Sequence, residues 1–141
     1  MLCVAGDRVL VDGGPPRPAT LHIREGRISK VGDFLDRPAG VPVLDAQGLV
    51  VMPGLVDTHV HINEPGRTGW EGFESATRAA AAGGVTTLVD MPLNSIPATT
   101  TVAALETKVR AAEGKCHVDV AFWGGVVPGN AGELEDRKSV V

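Results

Sequence analysis

Two histidines, His59 and His61, stand one residue apart in the segment VDTHVHINEPGR, Val56–Arg67. Side chains two apart in an extended strand share a face, so Asp57, His59 and His61 point one way and Thr58 and Val60 the other. Ring nitrogens from such a pair can bind one divalent ion, and a nearby carboxylate can orient a ring by hydrogen bonding. The same spacing also suits two ordinary surface or core histidines, because a zinc site needs further ligands. His22, in the N-terminal segment, and His117, at the start of a later strand, do not supply them. Both read as surface or core histidines.

The elements that position the pair follow from turn residues and periodicity. The first fifty residues read as β. Leu2–Ala5 and Arg8–Val11 flank a turn pair at Gly6-Asp7, and a proline-rich loop covers Gly13–Pro18. Leu21–Arg24 and Arg27–Val31 flank Glu25-Gly26, a hairpin signal. Val41–Leu44 and Leu49–Met52 flank a further turn at Asp45–Gly48. From Pro53 the pattern changes. Leu55–His61 reads as a buried strand, and Trp70–Ala82 as a helix stopped by Gly83-Gly84. Val85–Val89 is a β-branched strand, and Thr99–Glu113 a helix with Val102, Leu105 and Val109 on one stripe. His117–Trp123 is a third strand. Strand–helix–strand–helix–strand is the signature of parallel βα units.

These units suggest an α/β fold in two segments, residues 1–52 forming a β-sheet and residues 53–141 the start of a barrel. Three parallel strands do not close a (β/α)8 barrel, which needs eight strands and about 250 residues. An open parallel sheet so small would leave unusual exposed edges. The charged stretch Gly132–Val141 is unlike another complete unit, so the chain reads as shortened.

Bulk properties narrow the function classes. With 43% apolar and 21% charged residues the composition is that of a globular protein. A net charge of −4 and a pI near 5.5, without a basic run, argue against nucleic acid or an anionic membrane as partner. Cys3 and Cys116 match no metal or disulfide spacing, which fits reduced thiols in an intracellular, cytoplasmic setting.

The stretch from Gly48 to Thr100, with MPGLVDTHVH at Met52–His61, closely resembles the amidohydrolase superfamily of metal-dependent cyclic-amide hydrolases. Its continuations INEPGRTGWEGF and DMPLNSIPATT are most similar to the allantoinase group. Dihydroorotases usually carry an arginine two residues beyond the second histidine, where Asn63 stands, and an MPN-type turn where this chain has Pro92-Leu93-Asn94. LHIREGRISKVG, Leu21–Gly32, is similar to the N-terminal hairpin of the same group. The resemblance runs from about Leu2 to Glu133.

It implies an N-terminal β-sandwich half and the first three βα units of a metal-dependent (β/α)8 TIM barrel, incomplete here. In such enzymes two zinc ions activate water to open a cyclic amide, the hydantoin ring of allantoin giving allantoate in the allantoinases. The paired histidines bind one ion, a carboxylated lysine bridges both, two later histidines bind the second, and a late aspartate is ligand and base. Only His59 and His61 map onto ligand positions. Lys108, Lys115 and Lys138 follow them, and none stands in a strand pattern suited to the bridging lysine. No catalytic base maps at all. Arg67 and Asn94 fall in loops that line the pocket in the family and are candidate substrate contacts, a solvated loop charge being the alternative for Arg67. Asp57 reads as a carboxylate orienting a ligand ring or as a buried hydrogen-bonding partner, Asp90 as a turn or helix-capping group, and Trp70 and Phe73 as core.

Two functions follow from this. One is a zinc-dependent allantoinase-type hydrolase, acting on a small-molecule ureide and forming a homo-oligomer, of which this chain is an inactive shortened form. The other is a non-catalytic isoform or pseudoenzyme. A dihydropyrimidinase- or dihydroorotase-like cyclic amidase is a third reading, which DMPLNS disfavours.

Overall fold

A computed structural model describes residues 1–133, so Lys138 and most of the charged C-terminal stretch lie outside the described residues. The chain divides into two units, Met1–Pro53 and Gly54–Val141.

The first unit is a five-stranded sheet built around β1 (Leu2–Val9). Strand β2 (Arg17–Arg24) pairs antiparallel with β1, Cys3 opposite His22 and Ala5 opposite Thr20, and β3 (Arg27–Gly32) pairs antiparallel with β2. The β2–β3 hairpin turns at Glu25-Gly26, whose φ angles of 50° and 72° are the pair of positive values that a two-residue turn of matching twist requires.

One expectation for this unit is corrected. Gly6-Asp7 does not turn the chain. Neither residue adopts a positive φ, and β1 runs straight through, absorbing the irregularity as a register shift between Gly6 and Val9. The turn expected at Asp45–Gly48 is present, and the segments around it do not pair with each other. Strands β4 (Val43–Asp45) and β5 (Val50–Val51) both lie parallel to β1, Cys3 opposite Val43 and Arg8 opposite Val50. The bend between them is a jog along one neighbour, closed by Leu49 N–H donating to Ala46 O at 3.0 Å. Gly6 admits this approach: a Cβ there would sit 3.2 Å from Val51 Cγ2. Cys3, Ala5, Gly6, Val9, Ala19, Thr20 and His22 are the buried residues of the sheet.

The second unit carries β6 (Leu55–Val60), α1 (Phe73–Ala82), β7 (Val85–Asp90), α2 (Val102–Ala112) and β8 (Asp119–Phe122). Its strands form a parallel sheet in the order β6-β7-β8, Val60 opposite Asp90 and Asp90 opposite Phe122. Ile62, Phe73, Leu88 and Ala112 form the core, with Val60, Val120 and Phe122 packed on them. The Phe73 and Phe122 rings meet edge to face with centroids 6.0 Å apart.

Helix α1 begins three residues later than its sequence pattern suggests, because Glu64 fixes its start. The Glu64 carboxylate accepts the first helical N–H, that of Phe73, at 2.9 Å. Trp70 therefore lies in the turn before the helix and is 74% exposed, not core. Helix α2 starts at the cap Thr101, whose side chain accepts Ala104 N–H at 3.2 Å.

The expectation of a buried strand fails for β6, where Leu55 is 52% exposed. Val56 and Thr58, on the other side of the strand, are exposed as well, and within β6 only Val60 is partly covered, by the core of the unit.

Candidate metal centre

His59 lies on β6 and His61 follows directly after it, at the C-terminal end of the strand. Both are exposed, and their rings stand edge to face with centroids 5.2 Å apart. Thr58 and Val60 take the opposite side, as strand alternation requires.

Asp57 does not act on a histidine ring. Its carboxylate accepts the backbone N–H of His59 at 3.0 Å and is exposed, so it holds the strand in place rather than serving as a buried partner. From the far strand, Trp123 donates its indole N–H to Thr58 O at 2.9 Å, tying the end of β8 to β6.

The residue after the pair is anchored from below. Ile62 is fully buried and donates its N–H to Asp90 Oδ1 at 2.7 Å. Asp90 is the last residue of β7, fully buried, and its other oxygen is ion-paired with the buried Lys108 ammonium of α2. Lys108 also donates to Met91 O at 3.1 Å. Burial pushes the Asp90 carboxyl above its ordinary value, against the opposing pull of Lys108 and of the Ile62 hydrogen bond. Asp90 is thus neither a turn nor a capping residue. The signal for its partner lay in α2, where Lys108 falls on the stripe of Ala104, Leu105 and Ala112. A lysine on the buried stripe of a helix implies a buried carboxylate to receive it.

The loops beyond the strands are cross-linked. Ile96 N–H donates to Pro65 O at 2.9 Å, joining the loop after β7 to the loop after β6. Gly66, with φ of 92°, packs against Ile96 at this junction. Arg67 sits in the first of these loops with its guanidinium 5.2 Å from the Trp70 ring centroid, and Asn94 sits half-buried in the second. Lys115 pairs with Glu64, so it and Lys108 are both held by carboxylates. Among the described residues no group of three or more His, Cys, Asp or Glu side chains is placed to hold a metal ion. The histidine pair does fit a metal as part of a ligand set: two imidazoles, on one side of one strand end, each with its ring near the other.

Residues 50–140 match the model of the amidohydrolase family. The chain belongs to that family. Among its relatives, an allantoinase of Streptomyces avermitilis is 54% identical over 134 residues, covering 94% of this chain and 30% of its own length. A probable allantoinase of Oryza sativa is 52% identical over 130 residues, covering 91% of this chain and 25% of its own. The amidohydrolase fold is equally plain in three dimensions. The L-hydantoinase (dihydropyrimidinase) of Arthrobacter aurescens superimposes with a TM-score of 0.85 at 33% identity, over 97% of this chain and 31% of that one. The chain thus spans about 30% of the length of the Streptomyces avermitilis relative, and within that span it carries the histidine pair.

Proposed function

We propose that this chain supplies the N-terminal sheet and the first three barrel strands of an allantoinase-type cyclic amidase, with His59 and His61 as two of its metal ligands. The observation that carries the reading is the placement of both imidazoles together at the C-terminal end of β6, the end where barrel enzymes build their sites. The kinship with allantoinases at 52–54% identity points to allantoin as the ureide substrate.

Zinc held by the pair and by further ligands would lower the pKa of a bound water and polarise the ring amide carbonyl. The chain's own residues have distinct tasks. His59 and His61 present neutral ring nitrogens to the ion. Asp57 fixes the backbone at His59, and Trp123 fixes it at Thr58. Asn94 and Arg67, on the two cross-linked loops, meet the polar ureide groups of the substrate. No base for the reaction stands among these residues, and we expect the 141-residue chain alone to form no allantoate.

A chimera tests the reading. Residues 2–133 replace the matching segment of the Streptomyces avermitilis allantoinase, and allantoate formation is followed with zinc present. Turnover that His59→Ala lowers at least a hundredfold supports the proposal. A soluble, zinc-loaded chimera without turnover, or one indifferent to His59→Ala, sinks it.

A further inference from the structure

Asp90 and Lys108 form the most completely buried charged pair among the described residues, and the reaction outlined above uses neither. Their side chains are 0% and 1% exposed. A buried ion pair is a poor source of stability, because desolvation offsets much of the attraction; an apolar pair of like volume would often serve as well. The arrangement around this one shows what else it does. Asp90 spends its second oxygen on the backbone of Ile62, the residue immediately after His61. Its own carbonyl accepts Trp123 N–H at 2.9 Å, while Met91 N–H donates to Val60 O at 2.7 Å. Asp90 and its neighbour thus touch the C-terminal ends of both flanking strands. Lys108 adds Met91 O to its bonds and lies 6.0 Å from the Phe122 ring centroid, so α2 is locked to the same point.

We infer that Asp90 is a positioning residue for the metal-binding pair: held by Lys108, its carboxylate clamps Ile62 N–H and so sets where His61 leaves β6. Lys108, paired with one oxygen of the carboxylate, holds the group in place while the other oxygen accepts Ile62 N–H at 2.7 Å. The position of His61 relative to His59 is therefore decided by α2 and β7, not by β6 alone. This rests on the metal reading of the pair, and the two can fail separately.

The test uses the 141-residue chain, its Asp90→Ala and Asp90→Asn variants, and the double variant Asp90→Asn with Lys108→Met. Two quantities are read: amide hydrogen exchange at Ile62 against Val120, and affinity for cobalt(II) from its absorption bands. Asp90→Ala is expected to raise exchange at Ile62 at least tenfold while Val120 stays within threefold, and to weaken cobalt binding about tenfold. The double variant keeps a neutral acceptor for Ile62 without a stranded charge, and is expected to recover cobalt affinity to within about threefold of the original chain. Asp90→Asn alone, which leaves the Lys108 charge unpaired, should fall between.

Equal acceleration at Ile62 and Val120 would mean that Asp90 supports the whole unit, and would overturn the inference. Faster Ile62 exchange with unchanged cobalt affinity would overturn it while leaving the metal reading intact. Absence of histidine-dependent cobalt binding in the unaltered chain would remove the metal reading, and with it the claim that Asp90 serves a metal site.

Discussion

Thr77 shows how much single residues decide in the second unit. Its buried hydroxyl donates to Phe73 O at 2.6 Å and accepts His117 N–H at 3.0 Å, joining α1 to the segment that leads into β8. Thr77→Val keeps the shape and strands the His117 donor, and is expected to destabilise the unit by about 1–3 kcal/mol, read from the unfolding midpoint by Trp123 fluorescence. In the first unit, His22 lies between the buried Cys3 thiol, 3.6 Å from Nδ1, and Asp36, 3.2 Å from Nε2, and Lys30 Nζ reaches the same carboxylate at 2.6 Å. The Lys30 hydrogen bond, aided by the charges of Lys30 and His22, holds the Asp36 carboxyl below its ordinary value of 3.8. A lowered carboxylate stabilises the fold above its unfolded pKa, and that stability is lost as pH falls from there through the lowered value. Asp36→Asn should therefore cost stability at neutral pH and flatten the acid limb below about 3.8, measured by hydrogen exchange of the β2–β3 amides. At this scale the histidine pair was legible because its spacing matches the strand period. The roles of Asp57 and Asp90 were not, since a carboxylate's partner depends on which strands become neighbours.

Elements were legible where local chemistry alone decides them. Glu25-Gly26 closes its hairpin and Gly84, with φ of 80°, follows α1, both as their residue types require. Elements failed where tertiary contacts overrode that chemistry. The Gly6-Asp7 pair stays extended because β2 and β5 both pair with β1 alongside it. Trp70 and Phe73 look alike on a helical wheel, but Glu64 sets the first turn and leaves only Phe73 inside. Phe73→Ala removes a fully buried ring between α1 and Phe122 and is expected to cost about 3–5 kcal/mol, a loss of cooperative unfolding by circular dichroism being the readout. Gly66→Ala places a methyl group against Ile96 at a φ of 92°, and should loosen the junction of the two loops without unfolding the sheet. Chemical-shift changes confined to about residues 63–67 and 94–97 would show it.

At the scale of the molecule, the chain is a portion of an amidohydrolase fold with two units and one exposed histidine pair. No helix among the described residues is long and apolar enough to cross a membrane. Both cysteines are free. The alternation of strands and helices made the barrel-like order of the second unit readable from sequence, whereas the exposure of β6 was not, because periodicity records which residues share a face and not what covers it. If His59 and His61 act together as metal ligands, zinc titration calorimetry on the chain and on its His59→Ala and His61→Ala variants will show it. Each substitution is expected to weaken zinc binding at least tenfold, and the double variant to be no worse than the weaker single one. Zinc affinity unchanged by either substitution would contradict it.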